Sequence, residues 1–254
     1  MKLKEIQRMP KEKPIDLGYQ DDEEQSEKSQ TSSIPPNIKK IAGAPNLGYI
    51  TVGGSRDDYL TLFSGANLII HLFDLKGRAQ IGYLALRPSN FPLPNSAAVA
   101  NVLIYPDYRG RGLGQSLYGV AVKELGMTIV SDDTQTPEAR RMWVNLHNIP
   151  GVSVRGWINF SSSDVDPTND LFGNAQYNLK RIARLQGLPK GQTPRPLGKS
   201  SKRGDFVYFD FPVQSGLGGT ELQAAEKLAA IYTSYHPEDN RRDYDVGLYA
   251  RWTG

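Results

Sequence analysis

Hydrophobic and polar positions along the chain first predict a series of β-strands. Apolar and β-branched residues dominate short segments at 49–52, 67–74, 79–86 and 97–105, which are bounded by Gly, Pro, Asn or Asp. The connection Leu75-Lys76-Gly77-Arg78 joins the second segment to the third and contains the glycine that is typical of a hairpin. The pattern predicts that the segments between 67 and 105 form an antiparallel meander of three strands.

The period then changes to that of a helix. Between Gly112 and Glu124 the apolar residues recur at helical spacing, and the short apolar segment 127–130 follows directly. A strand, a helix and a strand in this order predict a parallel strand pair. Thr136-Pro137 is a helix start signal, and the buried stripe of the helix that follows includes Trp143.

The second half of the chain carries weaker signals. The elements predicted there are a strand at 152–160, a short helix near 174–185, a strand at 205–213, a helix that begins near Thr220, and a last strand at 246–252.

Composition divides the chain into four parts. Residues 1–46 are rich in Asp, Glu, Gln, Ser and Lys, which predicts a disordered or extended tail, either an inert solubilising segment or a partner-binding arm. Residues 47–160 form the α/β core, 161–204 a basic irregular insertion, and 205–254 a strand-helix-strand segment that completes the fold.

The residue types that are rare or absent exclude several classes of site. The 254 residues include no cysteine and three histidines, which excludes disulfides, thiolate zinc sites, iron–sulfur centres and a thiol nucleophile. We expect no metal site. No apolar run approaches the ~20 residues of a membrane span, and the N-terminus lacks the apolar stretch of a signal peptide. These features predict a soluble cytoplasmic protein.

The net charge of +3 conceals a strong segregation of charge. Residues 171–204 contain eight basic and no acidic side chains. This stretch is open to three interpretations: a solvated mobile loop, a docking site for an acidic substrate or protein partner, or a nucleic-acid site. We do not expect a nucleic-acid partner, because the basic residues are not interleaved with aromatic residues.

The segment from Ile104 to Gly114 carries the clearest chemical signal. It follows a strand and precedes an amphipathic helix, and it contains two arginines and three closely spaced glycines. Glycines let the backbone approach a ligand closely, and the amides of a helix N-terminus attract anions. The spacing fits neither the phosphate loop of nucleotide triphosphatases nor the dinucleotide fingerprint. It therefore predicts another type of phosphate or pyrophosphate site.

The pattern Arg109-x-x-Gly112-x-Gly114, preceded by Ile104-x-Pro106, resembles the acyl-CoA pyrophosphate loop of the GNAT N-acetyltransferase superfamily. The resemblance covers residues 47–160 and implies a mixed, mostly antiparallel α/β (α+β) sheet with flanking helices and one splayed strand pair. The segment from Val130 to Ala139, together with Trp143, is also similar to acetyltransferase-like proteins encoded by bacteriophages.

The resemblance implies a binding role for each residue of this loop. The pantetheine arm would lie between the splayed strands and bond to the backbone of Leu103, Ile104 and Tyr105. The residues expected to hold the pyrophosphate are Arg109, Gly110, Arg111, Gly112, Leu113, Gly114 and Gln115, with a hydroxyl contribution from Ser116.

The implied activity is direct acetyl transfer from the co-substrate acetyl-CoA to an amine acceptor whose identity the sequence does not define. Many family members have a tyrosine as the acid for the leaving thiolate at the position of Trp143, and a carboxylate on the fourth strand, where 97–105 has none. We expect Asp132, Ser131 or Tyr105 to take over proton transfer. Asp132 could equally be a helix-entry acid that interacts with the helix dipole.

These departures leave a second function open. The chain could be a catalytically silent CoA-binding protein, or a structural or interaction protein such as a phage virion or assembly component. In that case it would be found in the host cytoplasm or in the virion.

Overall fold

A computed structural model describes residues 34–53, 66–90, 92–131, 139, 142–143, 145–169, 174–200, 206–213, 223, 225 and 246–254. The described strands are β1 (Lys39–Ile41), β2 (Ala44–Gly53), β3 (Leu68–Asp74), β4 (Ala79–Ser89), β5 (Ser96–Ile104), β6 (Thr128–Val130), β7 (Val152–Ser161), β8 (Gly198–Ser200), β9 (Phe206–Pro212) and β10 (Val246–Trp252). They form one sheet in the order β1-β2-β3-β4-β5-β6-β10-β7-β9-β8.

Strands β2 to β5 form an antiparallel meander, which confirms the predicted one and extends it by β2. Two irregularities interrupt the alternation of side chains. In β4, Gly82 pairs with Leu72 and Gln80 with Phe73, so that Ile81 is an extra residue. A similar shift in β5 makes Ala100 an extra residue. Such bulges change the face of the sheet toward which the following side chains point.

The predicted strand-helix-strand unit forms a parallel pair. Helix α1 (Leu113–Gly119) is continued by a π-helical turn (Val120–Glu124), and β6 then returns beside β5 in parallel. The chain enters α1 through Gly112, whose φ of +74° lies in the left-handed region. Leu117, Val120 and other apolar residues of this unit are fully buried.

The second half of the chain extends the same sheet. β7 pairs antiparallel with both β10 and β9, and β8 forms the outer edge beside β9. β10 lies between β6 and β7, with Tyr249 opposite Val130 on one side and Arg155 on the other. The segment 205–254 therefore contributes an internal strand to the sheet.

Two regular helices of more than one turn are described, α1 and α2 (Asn174–Leu185). Ala139, Met142, Trp143 and Asn145 also have helical backbone, and short 3-10 segments lie at Pro106–Tyr108, Leu146–Asn148, Ser162–Val165 and Pro167–Asn169. Leu117 of α1 and Ile182 of α2 belong to the same apolar core as Ile70 and Phe209. The fold is thus mixed α/β and dominated by a mostly antiparallel sheet.

The boundary of the predicted tail needs correction. β1 and the start of β2 lie within residues 1–46, and the described chain begins at position 34. Ile41 packs partly buried against the core, and the Ile38 side chain lies beside Gly48. Apolar residues spaced too sparsely to predict a strand are thus sufficient to hold a sheet edge.

The insertion 161–204 contains α2 and β8, of which β8 is the element that we did not predict. α2 matches the short helix that the sequence predicts at 174–185. The helix predicted from Thr220, the start signal Thr136-Pro137 and the tail before residue 34 lie outside the described residues.

Candidate functional site

An open strand edge lies beside the second half of β5. In the described part of the sheet, β6 pairs with β5 only through residues 96–98. β5 continues through residues 99–104, where β4 pairs with its other side. At about 3.3 Å per residue this leaves ~20 Å of strand edge beyond the β5–β6 pairing. An extended amide chain is the type of ligand that bonds to such an edge.

The register decides which backbone groups face this opening. The Tyr105 N–H donates to the Ile81 carbonyl oxygen at 3.1 Å and is therefore directed toward β4. Because peptide groups alternate along a strand, Leu103 also faces β4, and its carbonyl oxygen lies against Gly82. Of the three residues predicted to bind pantetheine, Ile104 is thus the one that presents its backbone groups to the opening.

The loop after β5 exposes a series of backbone donors. Gly110 and Gly112 have φ values of +75° and +74°, and a Cβ at either position would meet nothing within 4 Å. Within the described part of the chain, none of the six N–H groups of residues 110–115 donates to another backbone group. Successive free amides in a turn that leads into a helix form an anion-binding nest.

Both arginines of the loop are held by backbone carbonyls. Arg109 Nε donates to the Ile104 oxygen at 3.0 Å. Arg111 Nη2 donates to the Asp107 oxygen at 2.8 Å, and its guanidinium lies over the Tyr108 ring at 5.3 Å from the ring centre. Two positive charges are therefore fixed beside the free amides, where they favour a phosphate group.

The remaining predicted loop residues connect α1 to the helical segment after it. A Cβ on Gly114 would lie 2.7 Å from Met142 Sδ, so a larger residue there would displace the Met142 side chain. Gln115 Nε2 donates to the backbone carbonyl oxygen of Asn145 at 2.7 Å. Leu113 packs partly buried against the core, and the Ser116 N–H bonds to the Gly112 oxygen at 3.3 Å. These side chains stabilise the shape of the nest.

Ser131 has a structural role in the described sheet. The residue is 4% exposed. Its N–H donates to the Leu248 oxygen at 2.8 Å, and its Oγ accepts from the Leu248 N–H at 2.9 Å. The hydroxyl therefore attaches the end of β6 to β10. Asp132, the other candidate in this segment, lies outside the described residues.

Tyr105 lies at the junction between β5 and the loop. Its hydroxyl oxygen accepts a hydrogen bond from Gln80 Nε2 at 3.3 Å, and the same amide nitrogen is 3.0 Å from His71 Nδ1. An amide nitrogen can only donate, so Nδ1 of His71 is an acceptor here. Burial raises the pKa of Tyr105 above its ordinary value of 10. The hydroxyl therefore stays protonated at neutral pH.

The structure accounts for the departure at Trp143. The indole is 2% exposed and packs edge-on against Tyr118, with ring centres 5.1 Å apart. Trp143 therefore fills the core between two helical segments.

Besides Tyr105, a tyrosine of β4 that the sequence did not single out, Tyr83, has polar contacts on the sheet. The hydroxyl of Tyr83 accepts from Asn101 Nδ2 at 3.1 Å, and its ring contacts the His71 ring at a centroid distance of 6.5 Å. Asn101 directly follows the extra residue Ala100 of β5. The bulge turns the Asn101 side chain to the Tyr83 face, and no local sequence pattern predicts this pairing. The nearest signal is a lone polar residue within an apolar strand.

No protein-family model matches this chain, and no curated protein matches it. Among the described residues, no three histidine, aspartate or glutamate side chains are grouped so that they could hold a metal ion. Within the same residues, no helix has the length and apolar character needed to cross a bilayer.

Proposed function

We propose that the chain is a GNAT-like, acyl-CoA-dependent N-acyltransferase that transfers acetyl from acetyl-CoA directly to an amine. The observation that carries this proposal is the continuity of two features: a nest of six free amides at residues 110–115 and the open edge of β5 at residues 99–104. A pyrophosphate attached to an extended amide arm has the same two parts in the same order.

The pyrophosphate would bind the nest amides, and the fixed charges of Arg109 and Arg111 would neutralise it. The pantetheine amides would then bond to the edge of β5, beginning at Ile104. Because Arg109 covers the Ile104 oxygen, this guanidinium would turn toward the phosphates when the arm binds. Ligand binding would thus exchange one charge-assisted hydrogen bond for another.

The thioester would lie at the end of the arm that is remote from the pyrophosphate. This is the closed end of the opening, where β5 and β6 still pair. Along the sheet, Asn101 and Tyr83 lie closer to this end than Tyr105 does. The amine nitrogen attacks the thioester carbonyl, and the C–S bond then breaks. The Tyr83 hydroxyl donates a proton to the thiolate and is reprotonated from water, which also receives the proton that the amine loses.

Direct transfer is consistent with the composition of the chain. The sequence has no cysteine, so no thiol is available for an acyl-cysteine intermediate. The Asn101 amide donates to the Tyr83 hydroxyl oxygen, which positions this hydroxyl on the sheet.

A catalytically silent CoA-binding or structural protein is the second candidate, and two observations favour it. Trp143 is buried in the core, and the hydroxyl of Ser131 is used between β6 and β10. In that case the loop would still bind CoA, and a role in a virion or its assembly would suit the resemblance to phage-encoded proteins.

Two measurements separate the candidates. Titration calorimetry measures the binding of acetyl-CoA, and a second assay measures the CoA released with a panel of polyamines, peptides, nucleotides and aminoglycosides as acceptors. Binding together with acceptor-dependent release of CoA supports the acyltransferase. Binding without release for any acceptor supports the silent protein. The absence of binding would overturn the acyltransferase and the CoA-binding protein, and would leave the purely structural protein.

A further inference from the structure

The outer face of α2 carries a stripe of cations and one aromatic ring. Tyr177, Lys180 and Arg184 are exposed, while Ala175, Ile182 and other residues of the opposite face are buried. Residues at spacings of three and four lie on one face of a helix. Tyr177, Lys180, Arg181 and Arg184 therefore form a single stripe, which together with Arg195 we call the α2 surface.

The aromatic ring of this stripe is exposed on one side and covered by a cation on the other. Tyr177 is 56% exposed, which is unusual for a large side chain on a helix that packs against a core. The Arg181 guanidinium lies 5.2 Å from the centre of its ring. This contact orients the ring and leaves its outer side accessible for stacking.

The loop after α2 adds a further cation in a defined position. The Gln186 side chain donates to the Arg195 oxygen at 3.0 Å and accepts from the Arg195 N–H at 3.2 Å. The same side-chain amide also donates to the backbone carbonyl oxygen of Asp210 at 2.9 Å, which attaches the loop to β9. Arg195 is therefore held at the C-terminal end of the stripe.

No carboxylate among the described residues compensates the positive charge of this surface. The described stretch 174–200 contains no acidic residue. Among the described carboxylates, none forms an ion pair with Lys180, Arg181, Arg184 or Arg195. A concentration of unpaired cations on one face attracts polyanions.

We propose that the α2 surface binds single-stranded nucleic acid, with phosphates on its cations and a base stacked on Tyr177. This inference is independent of acyl transfer and changes the expectation drawn from the sequence, because an aromatic residue does lie among the basic ones. An acidic peptide would use the cations equally well but would leave the exposed ring without a partner. Stacked bases supply the missing contact in a sequence-tolerant way.

The test is fluorescence anisotropy of the full chain with a labelled oligothymidylate of about 20 nucleotides, longer than a typical single-strand site. The titration is repeated across salt concentrations, and a labelled polyglutamate of equal charge serves as the second probe. We expect the slope of log affinity against log salt to be about −0.7 for each phosphate that is neutralised.

Four variants and one matched control locate the site. Lys180→Ala and Arg184→Ala should each reduce the salt slope by about 0.7. Tyr177→Ala should weaken oligothymidylate binding about 5- to 150-fold, the range of base stacking, while Tyr177→Phe should retain it. Lys76→Ala, which removes an exposed cation from the turn between β3 and β4, should leave both affinity and slope unchanged.

Oligothymidylate binding that depends on both the cations and the ring establishes the proposal. Three results overturn it: no binding at low salt, binding that the α2 variants do not alter, and polyglutamate binding as tight as oligothymidylate binding with no effect of Tyr177→Ala. The last result would identify the surface as a docking site for an acidic protein.

Discussion

Arg109 Nε donates to the carbonyl oxygen of Ile104, the one backbone acceptor among the predicted pantetheine ligands that faces the opening beside β5. The same side chain is therefore both a cation beside the nest of free amides and the group that covers the strand edge. Replacing it separates these two effects.

We expect Arg109→Ala to weaken acetyl-CoA binding about tenfold or more, because a charge-assisted hydrogen bond contributes about 1.5–3 kcal/mol. Calorimetry measures the loss, and Lys76→Ala is the matched removal of an exposed cation. If Arg109 serves only to cover Ile104, the variant will unfold more easily while its affinity for acetyl-CoA stays the same.

Gly112→Glu should abolish acetyl-CoA binding, because the new carboxylate repels the pyrophosphate in the centre of the nest. Gly43→Glu is its control, since Gly43 has a similar φ of +76° and also has open space around it. Both variants carry the same backbone strain and the same charge, so a comparable loss of folded protein in both would show strain alone. Retained binding in Gly112→Glu would contradict the assignment of the nest.

Tyr83→Phe should lower kcat on the order of 100-fold and leave the affinity for acetyl-CoA unchanged, because only the proton donor is lost. Asn101→Ala should lower kcat less, since it removes the group that positions the hydroxyl. Tyr105→Phe is the comparison variant, because its hydroxyl lies at the pyrophosphate end. A larger loss of kcat in Tyr105→Phe than in Tyr83→Phe would reverse the assignment.

Ser131→Ala should reduce the free energy of unfolding by about 1–3 kcal/mol, the cost of leaving a buried donor unsatisfied. The donor concerned is the Leu248 N–H, which bonds to Ser131 Oγ in the interior of the sheet. Urea denaturation measures the change, with the exposed Ser163→Ala as the control. If Ser131 is instead a proton donor in catalysis, its replacement will change kcat with little change in stability.

Stability should fall as the pH rises above 10. Burial raises the pKa values of Tyr118 and Tyr105, and burial with the nearby Asp210 carboxylate raises that of Tyr249. The unfolded chain then ionises first and binds fewer protons than the folded one, so the free energy of unfolding decreases with pH above the unfolded value. In Tyr118→Phe this decrease should be shallower by one proton, as denaturation at several alkaline pH values would show.

Local sequence signals predicted the elements well where the spacing of apolar residues agrees with the Gly, Pro, Asn or Asp residues that bound the segment. β3, α2 and β10 lie almost where the pattern placed them, and the glycines around Arg111 marked the nest. These features depend on neighbouring residues, which a single sequence displays directly.

Features that depend on distant parts of the chain were not predictable. Nothing in the sequence near Val246 specifies that β10 lies between β6 and β7. The extra residue Ala100, which brings Asn101 to Tyr83, is an apolar residue in an apolar strand. Only the pairing of β5 with β4 distinguishes it from its neighbours, because it is left without a partner in that pairing. The hydrogen bond of Ser131 was not predictable for the same reason, since its partner Leu248 lies 117 residues further along.

The position of β10 also determines the order in which the sheet can assemble. In the described sheet, β10 lies between two groups of strands. The first group consists of β1 through β6, and the second consists of β7, β8 and β9. On the ribosome β10 emerges after all of them, so until then two separate sheets expose the edges of β6 and β7. Chains with such distant pairings fold slowly and expose aggregation-prone edges. The protein should therefore depend on rapid completion of its C-terminal strand, and its yield should respond to chaperones that act on nascent chains.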